Sequence, residues 1–345
     1  MSSKQYGVEP KISLEEALRI TPPQLRYKIE RAISLIKKAE LLALEYNPEG
    51  GFNVAFSGGK DSMALLWLFE HADVKFHAEM QCTTIDPPEL MAFIREVYVS
   101  TGRVRLNLPP KGPDGKTMNF LTELTKHGAP SRDHRWCCDV FKEFSGHGEV
   151  VATGLRVAES DRRAKQNPTP LKAFGGKKTF LGTKKHPKEV GEHSVVVKGG
   201  KKYVKHVDLF EVDAQTVLGC VRGAEKVILS PIWEWTDADV WMLIRLFKLP
   251  YCKLYNEGYS RLGCILCPLA DTASRARDAR RYPIFVREYT KRMAIFLSQC
   301  SEERRALFRN AEDFMKWFIY SDDTISGFHS NEEYPMLFTD EKENS

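Results

Sequence analysis

Phe56-Ser57-Gly58-Gly59-Lys60-Asp61-Ser62 is the stretch on which the reading of this sequence turns. The apolar run Phe52 to Phe56 precedes it, and Met63 to Phe69 follow with helical apolar spacing. That order predicts a strand ending in a Gly-rich turn that opens onto a helix N-terminus. Such a terminus presents unpaired N–H groups and the positive end of a dipole, so it attracts phosphate. Gly58 and Gly59 let the backbone approach an anion closely. Ser57 and Ser62 supply hydroxyls, and Lys60 a point charge. The spacing is not that of the Walker loop, which sets four residues between its glycines before Lys-Ser/Thr. The expectation is a protein that handles a nucleotide.

Around the loop, strands and helices alternate. Strand-like Phe52–Phe56 leads to helix 61–71, strand-like Val74–Met80, a helix from Pro87-Pro88-Glu89 to about Val99, and a short strand Val104–Leu106. Glu149–Ala152 and Lys226–Leu229 read as further strands, and Asp237–Phe247 as a helix. This is an α/β pattern, a parallel twisted sheet with helices on both faces. Ligands in such sheets bind at the carboxyl ends of the strands, where the Ser57 loop lies. Residues 13–46 keep a 3.6-residue apolar period with a break at Pro22-Pro23, and 271–320 return to helix with basic and apolar positions interleaved. The expected organisation is an N-terminal helical segment (1–50), a nucleotide-binding domain (51–270), and a C-terminal helical region with an acidic, frayed tail (271–345).

Residues 162–206 break the alternation. They hold thirteen Lys or Arg against two Glu, a net of +11, with many Gly and Pro. The backbone reads as a flexible, solvated insertion. Its charge makes it a candidate contact for a nucleic-acid backbone. The whole chain of 345 residues carries only +5, so the distribution says more than the sum. With 42% hydrophobic and 28% charged residues, the composition is that of a soluble globular protein. No run approaches the ~18 apolar residues of a membrane span, and the N-terminus lacks an apolar signal segment. A cytoplasmic protein without a membrane partner is expected, and its eight cysteines are expected to be thiols or metal ligands.

Two of those cysteines are adjacent, in Arg135-Trp136-Cys137-Cys138, and two more form Cys264-Ile265-Leu266-Cys267. Four soft donors suit zinc or an iron–sulfur cluster. Cys138 is the least secure of the four, and Cys252 is its substitute. Cys82 reads as a strand residue near the nucleotide, Cys300 as a helical position, and Cys220 has no partner motif. Trp233, Trp235 and Trp241 read as core residues, and His127, His134, His147 and His206 form no ligand spacing.

The SGGKDS loop resembles that of the PP-loop ATP pyrophosphatases, with the adenine nucleotide α-hydrolase-like fold. Gly154-Leu155-Arg156-Val157-Ala158-Glu159-Ser160, Pro231 through Trp241, and Tyr255-Asn256-Glu257-Gly258-Tyr259-Ser260-Arg261-Leu262-Gly263-Cys264 resemble the PAPS reductase-like branch of that superfamily. The resemblance implies ATP cleaved between its α- and β-phosphates and a [4Fe–4S] ligand set of Cys137, Cys138, Cys264 and Cys267, with zinc as the alternative. The sulfonucleotide reductases carry a Cys nucleophile in a C-terminal Glu-Cys-Gly-Leu-His segment, whereas this sequence has no cysteine after Cys300. The sulfur-transfer ATPases of DNA phosphorothioation systems (Dnd and Ssp type) are therefore the better match. The expected function is ATP-dependent sulfur insertion into nucleic acid, fed by a sulfur-donor protein of the cysteine desulfurase type. The alternatives are an APS/PAPS reductase and a non-enzymatic nucleotide-binding subunit with a four-cysteine zinc site.

In this scheme Ser57, Gly58, Gly59, Lys60, Asp61, Ser62, Thr84 and Arg156 bind ATP, with Lys60, Asp61 and Arg156 catalytic. Lys60 and Arg156 neutralise charge on the phosphates. Asp61 either holds Mg²⁺ or caps the helix, the cap being slightly favoured. Thr83, Thr84 and Asp86 are placed by the adenosine. Glu159, Arg162 and Arg163 either extend the phosphate grip or form a solvated loop.

Overall fold

The apolar run ahead of the quoted loop forms strand β1 (Phe52–Ala55), and after Phe56 to Gly59 helix α3 (Lys60–His71) begins. These elements belong to a computed structural model that describes residues 12–132, 134–142, 146, 148–159, 171–174, 195–198, 201–204 and 226–321. The sheet order is β3 (Arg105–Asn107), β2 (Phe76–Gln81), β1, β4 (Val150–Ala152), β8 (Lys226–Leu229) and β5 (Leu171–Phe174). β1 runs parallel to β2, with Asn53 opposite His77, and to β4, with Val54 opposite Ala152. β4 runs parallel to β8, with Val151 opposite Ile228, and β5 closes the edge antiparallel to β8. The architecture is the predicted parallel sheet with helices on both faces, with one antiparallel edge strand added.

From β1 the chain builds β2 and β3 on one side, then returns to place β4 on the other. The strand order therefore switches between β1 and β4. A crevice opens at the carboxyl ends of strands at such a switch point, and ligands bind there. The SGGKDS loop leaves β1 and the Thr153–Glu159 segment leaves β4 at that end. The order of the strands thus brings two sequence motifs together although about a hundred residues separate them.

Helices follow their signals. Ser13 caps α1 (Leu14–Ile20), accepting from the Glu16 N–H at 3.2 Å. Pro23 then starts α2 (Pro23–Tyr46), whose missing N–H costs nothing at a first helical position. α2 turns Leu25, Ile29, Ala32, Ile36 and Leu42 inward. Thr236 caps α7 (Asp237–Leu246) through a capping box with Asp239. α4 (Pro88–Ile94) does not run on as one α-helix to Val99. Its last turn, Arg95–Val99, is a π-helix, a widened turn that often sits beside functional sites. Ile94 and Leu90, just ahead of it, pack on Gly58.

Within the basic insertion the described residues are not structureless. They form β5 and an antiparallel pair, β6 (Val195–Lys198) and β7 (Lys201–Val204), with Val195 opposite Val204. The expectation of a structureless backbone is corrected for these residues; the rest of the insertion lies outside the described residues. Val195-Val196-Val197 on one side and Tyr203-Val204 on the other are strand formers, and Gly199-Gly200 between the two strands is in sequence a two-residue hairpin signal.

The chain forms two compact units interleaved in sequence: Met1–Met80, Glu89–Leu106 and Ser145–Arg261 in the first, and Gln81–Pro88, Asn107–Phe144 and Leu262–Ser345 in the second. The second is helical: α5 (Phe120–His127), α6 (Trp136–Phe141), α8 (Thr272–Arg281), α9 (Pro283–Ser298) and α10 (Ala311–Tyr320). Its core stacks Phe120, Trp136, Phe141, Tyr289, Phe314 and Phe318. α5 packs on α9, where Gly128, at φ +72°, brings its α-carbon against the Phe296 ring. Among the described residues no helix is long and apolar enough to cross a membrane.

Candidate active site

In the first unit the loop holds its own shape. Ser62 Oγ donates to the Gly59 carbonyl at 2.9 Å and accepts from the Ser57 N–H at 3.2 Å. Gly58 lies at φ +68°, and a Cβ there would stand 2.5 Å from Ile94 Cδ1. Gly59 is the N-cap of α3 and brings no side-chain acceptor. The acceptor comes from far along the chain: the Lys60 N–H donates to the Tyr255 hydroxyl at 2.8 Å. Burial raises the Tyr255 hydroxyl well above its usual range, so it stays neutral.

Two cations and two carboxylates meet at this helix start. Arg156, carried in after β4, places Nε 2.7 Å from Asp61 Oδ1, although poorly aligned for a hydrogen bond. Its Nη2 donates to Asp237 Oδ1 at 2.8 Å, and its Nη1 to the Trp235 carbonyl at 3.3 Å. Lys60 Nζ lies 3.3 Å from the same Asp237 oxygen, 3.4 Å from Asp61 Oδ2 and 3.3 Å from the Ser260 carbonyl. Gly154 makes the approach possible, since a Cβ there would sit 3.1 Å from the Asp61 backbone. Burial works to raise the Asp237 carboxyl, but Lys60 and Arg156 outweigh it and hold it below the usual carboxylate range.

Asp61 is not a helix cap. It sits one residue inside α3, and its carboxylate faces Arg156 and Lys60. Its Oδ1 and Oδ2 lie 2.7 and 3.4 Å from Arg156 Nε and Lys60 Nζ. Thr84 (φ +63°) accepts the Phe120 N–H at 2.9 Å, and Asp86 accepts the Thr83 N–H at 2.8 Å; all of these lie in the second unit. Glu159 accepts from the Arg156 N–H at 3.3 Å. Arg162, Arg163, Cys220, His147 and His206 lie outside the described residues, as does most of the basic insertion. Trp233 and Trp235 are buried in the core, whereas Trp241 stacks edge-on against Tyr251 and Tyr255.

The second unit carries the thiols. Cys137 and Cys138 are consecutive on α6, and Cys264 and Cys267 bracket a turn in which Leu266 has φ +55°. That strained turn is held by Asp278, which accepts the Leu266 N–H at 3.1 Å. A hydrogen bond with Cys138, burial, and the nearby Cys138, Cys264 and Cys267 sulfurs raise the Cys137 thiol far above its usual range. Burial also raises Cys264, against the pull of the Lys142 ammonium and the Thr83 hydroxyl, whose oxygen is 3.5 Å from its sulfur. Cys264 and Asp86 in turn hold the Lys142 ammonium above its usual range.

The four sulfurs thus interact, yet among the described residues no three metal-binding side chains already converge on one point. Successive residues on a helix are rotated by about 100°, so Cys137 and Cys138 do not aim alike. The donor chemistry, four thiols beside an apolar core with one ammonium to balance charge, fits a thiophilic metal or cluster. Cys252 belongs to the first unit; burial raises its thiol, and the charges acting on it are Glu89, Lys253 and Glu257. Cys82 directly follows β2 and bonds the Asn107 carbonyl. Cys300 lies just past α9, not within it, donating to the Phe296 carbonyl.

Gly154, Asp237 and Tyr255 lie in stretches that carry the family resemblance, but the sequence assigns them no role, and Lys142 lies in none of those stretches. Asp237 follows an N-cap threonine and looks like an ordinary first-turn acid. Only the β1–β4 switch brings the cations to it.

An uncharacterized protein of Methanocaldococcus jannaschii is 24% identical over 323 residues, covering 93% of this chain and 61% of that protein. A second from the same organism is 25% identical over 67% of this chain, which spans 38% of its length. Adenosine 5'-phosphosulfate reductase 2 of Bacillus subtilis is 44% identical over 78 residues, 23% of this chain and 30% of that enzyme. Among solved structures, the phosphoadenylyl-sulfate reductase of Candida auris aligns with a TM-score of 0.40 at 13% identity, over 74% of this chain and 97% of that one. The model of the phosphoadenosine phosphosulfate reductase domain matches residues 51–270. Those residues are well over half of the chain, which belongs to the phosphoadenosine phosphosulfate reductase domain family.

Proposed function

We propose that the chain is an ATP pyrophosphatase that activates an acceptor for sulfur transfer, with nucleic acid as the acceptor. One observation carries this: Lys60 Nζ, at the start of α3, and Arg156 Nη2 converge on a single carboxylate oxygen, Asp237 Oδ1, 3.3 and 2.8 Å away. Two cations around one anionic oxygen, at a helix N-terminus, suit a bridging or terminal phosphate oxygen. An acceptor oxygen attacks the α-phosphorus, the α–β bond breaks, and pyrophosphate leaves with the charge that Lys60 and Arg156 neutralise. A sulfur nucleophile then displaces AMP, which carries off the acceptor oxygen, so sulfur replaces oxygen. A sulfur-donor protein supplies that sulfur. Cys137, Cys138, Cys264 and Cys267 would hold a [4Fe–4S] cluster, which would supply a site for sulfur or electrons, or zinc, which would supply only a site for thiolate sulfur. The 162–206 insertion, net +11, supplies the phosphate-backbone contacts.

A second reading is favoured by the reductase from Bacillus subtilis, 44% identical over 78 residues. The same cations would then grip an adenylyl sulfate. One experiment separates the two: anaerobic purification with iron, sulfide and zinc analysis, then assays for pyrophosphate from ATP and for sulfite from adenylyl sulfate plus a thiol. Pyrophosphate release that is lost in Lys60→Ala is expected. Sulfite release instead supports the reductase. Zinc without either product supports a nucleotide-binding subunit, and undiminished pyrophosphate in Lys60→Ala sinks the assignment of the loop. Binding to duplex DNA should fall with salt at a slope of about −0.9 per phosphate neutralised.

A further inference from the structure

We propose that Asp237 is an internal stand-in for phosphate, a displaceable carboxylate that closes the anion site and must leave before a nucleotide can bind. The proposal rests on the nucleotide reading of the Ser57–Ser62 loop.

Exposure decides it. The Lys60 side chain is 5% exposed and that of Arg156 3%, whereas Asp237, which bridges them, is 61% exposed. The solvent-facing group in this cluster is thus the carboxylate. Its Oδ1 holds the position between Nζ and Nη2 that a phosphoryl oxygen would take. Asp61, 23% exposed, approaches the same two cations from α3 itself. Asp237 stands at the first position of α7, with Thr236 and Asp239 forming the cap. Its side chain can therefore rotate away without costing the helix its capping box.

The consequence is a specificity filter. A ligand must out-compete a carboxylate already in place, so adjacent phosphates are favoured over a weak single anion. An apparent affinity is reduced by the fraction of sites in which the competitor must first be displaced. Removing the competitor should tighten binding, whereas removing an ordinary contact residue weakens it. The role is that of a positioning and specificity-determining residue.

The test uses the full chain and inorganic pyrophosphate or ATP without divalent cation, so that no metal-bridging role of the carboxylate intrudes. Asp237→Asn keeps the shape and removes the charge, and Asp237→Ser guards against a new amide contact. Both variants should bind pyrophosphate about fivefold more tightly than the unsubstituted chain, the scale of a partly exposed ion pair. The ligand-free protein should melt slightly earlier, and adenosine affinity should stay unchanged. Equal or weaker pyrophosphate binding in both variants overturns the proposal while leaving the loop assignment standing. An unsubstituted chain that binds neither pyrophosphate nor ATP overturns both.

Discussion

At Gly58 two constraints coincide. Its φ of +68° is a left-handed conformation, and a Cβ would meet Ile94 Cδ1 at 2.5 Å and Leu90 Cδ1 at 2.9 Å. Gly102 has the first constraint without the second: φ +71° and nothing within 4 Å. Gly102→Ala should therefore cost only the backbone strain, about 1 kcal/mol. Gly58→Ala should cost about 1 kcal/mol more and weaken ATP binding as well, both measurable by denaturant unfolding and titration. Equal costs would mean that the Ile94 and Leu90 tips repack freely. Asp237 yields a second prediction, in pH. Its carboxyl is held below the usual range by Lys60 and Arg156, so the pairing stabilises the fold fully above that range. The contribution is lost as pH falls through the depressed value, below about pH 4. Stability curves of the unsubstituted chain and Asp237→Asn should differ by about 1 kcal/mol or less at pH 7 and converge in acid.

Helix α3 shows how an element acquires its end from a distance. Its N-cap is Gly59, and its first N–H finds the Tyr255 hydroxyl at 2.8 Å. Tyr255→Phe leaves that donor without its partner and should cost about 1 kcal/mol. A bound phosphate offers a new acceptor at the same helix start, so the melting-temperature gap should narrow in saturating ATP. A gap that persists would show that the ligand does not reach this terminus. β1 and α3 were legible because apolar spacing is a local signal. The Lys60 cap was not, because its acceptor is 195 residues away. α5 and α6 were missed for a related reason. They are short, and burial of Phe120, Leu124, Trp136 and Phe141 in the second unit's core holds them more than propensity does. The β6–β7 pair is carried by Val195-Val196-Val197, Tyr203-Val204 and the Gly-Gly between them, a local signal that the charge of the insertion outweighs in a reading by composition.

The two sets of candidate residues fall in different compact units. Lys60, Asp61, Arg156, Asp237 and Tyr255 lie in the first, and Cys137, Cys138, Cys264 and Cys267 in the second. Within the first unit the charge cluster is closed by its own partners, Lys60 and Arg156 on Asp61 and Asp237, and the Lys60 N–H on Tyr255. Substitutions in groups that share no partner usually add, to within about 0.5 kcal/mol. Lys60→Ala should accordingly lose ATP affinity tenfold or more while keeping the metal content of anaerobically purified protein. Cys264→Ser should lower the metal content and destabilise the second unit, where the thiol lies among Thr83, Asp86 and Lys142, while ATP affinity holds. The double variant should show both losses, with unfolding free energies that sum. On the proposed sulfur transfer, coupled turnover should fail in either single variant. If Cys264→Ser alone abolished ATP binding, the loop and the thiols would form one cooperative site, and sulfur chemistry would be tied to nucleotide binding before any bond is cleaved.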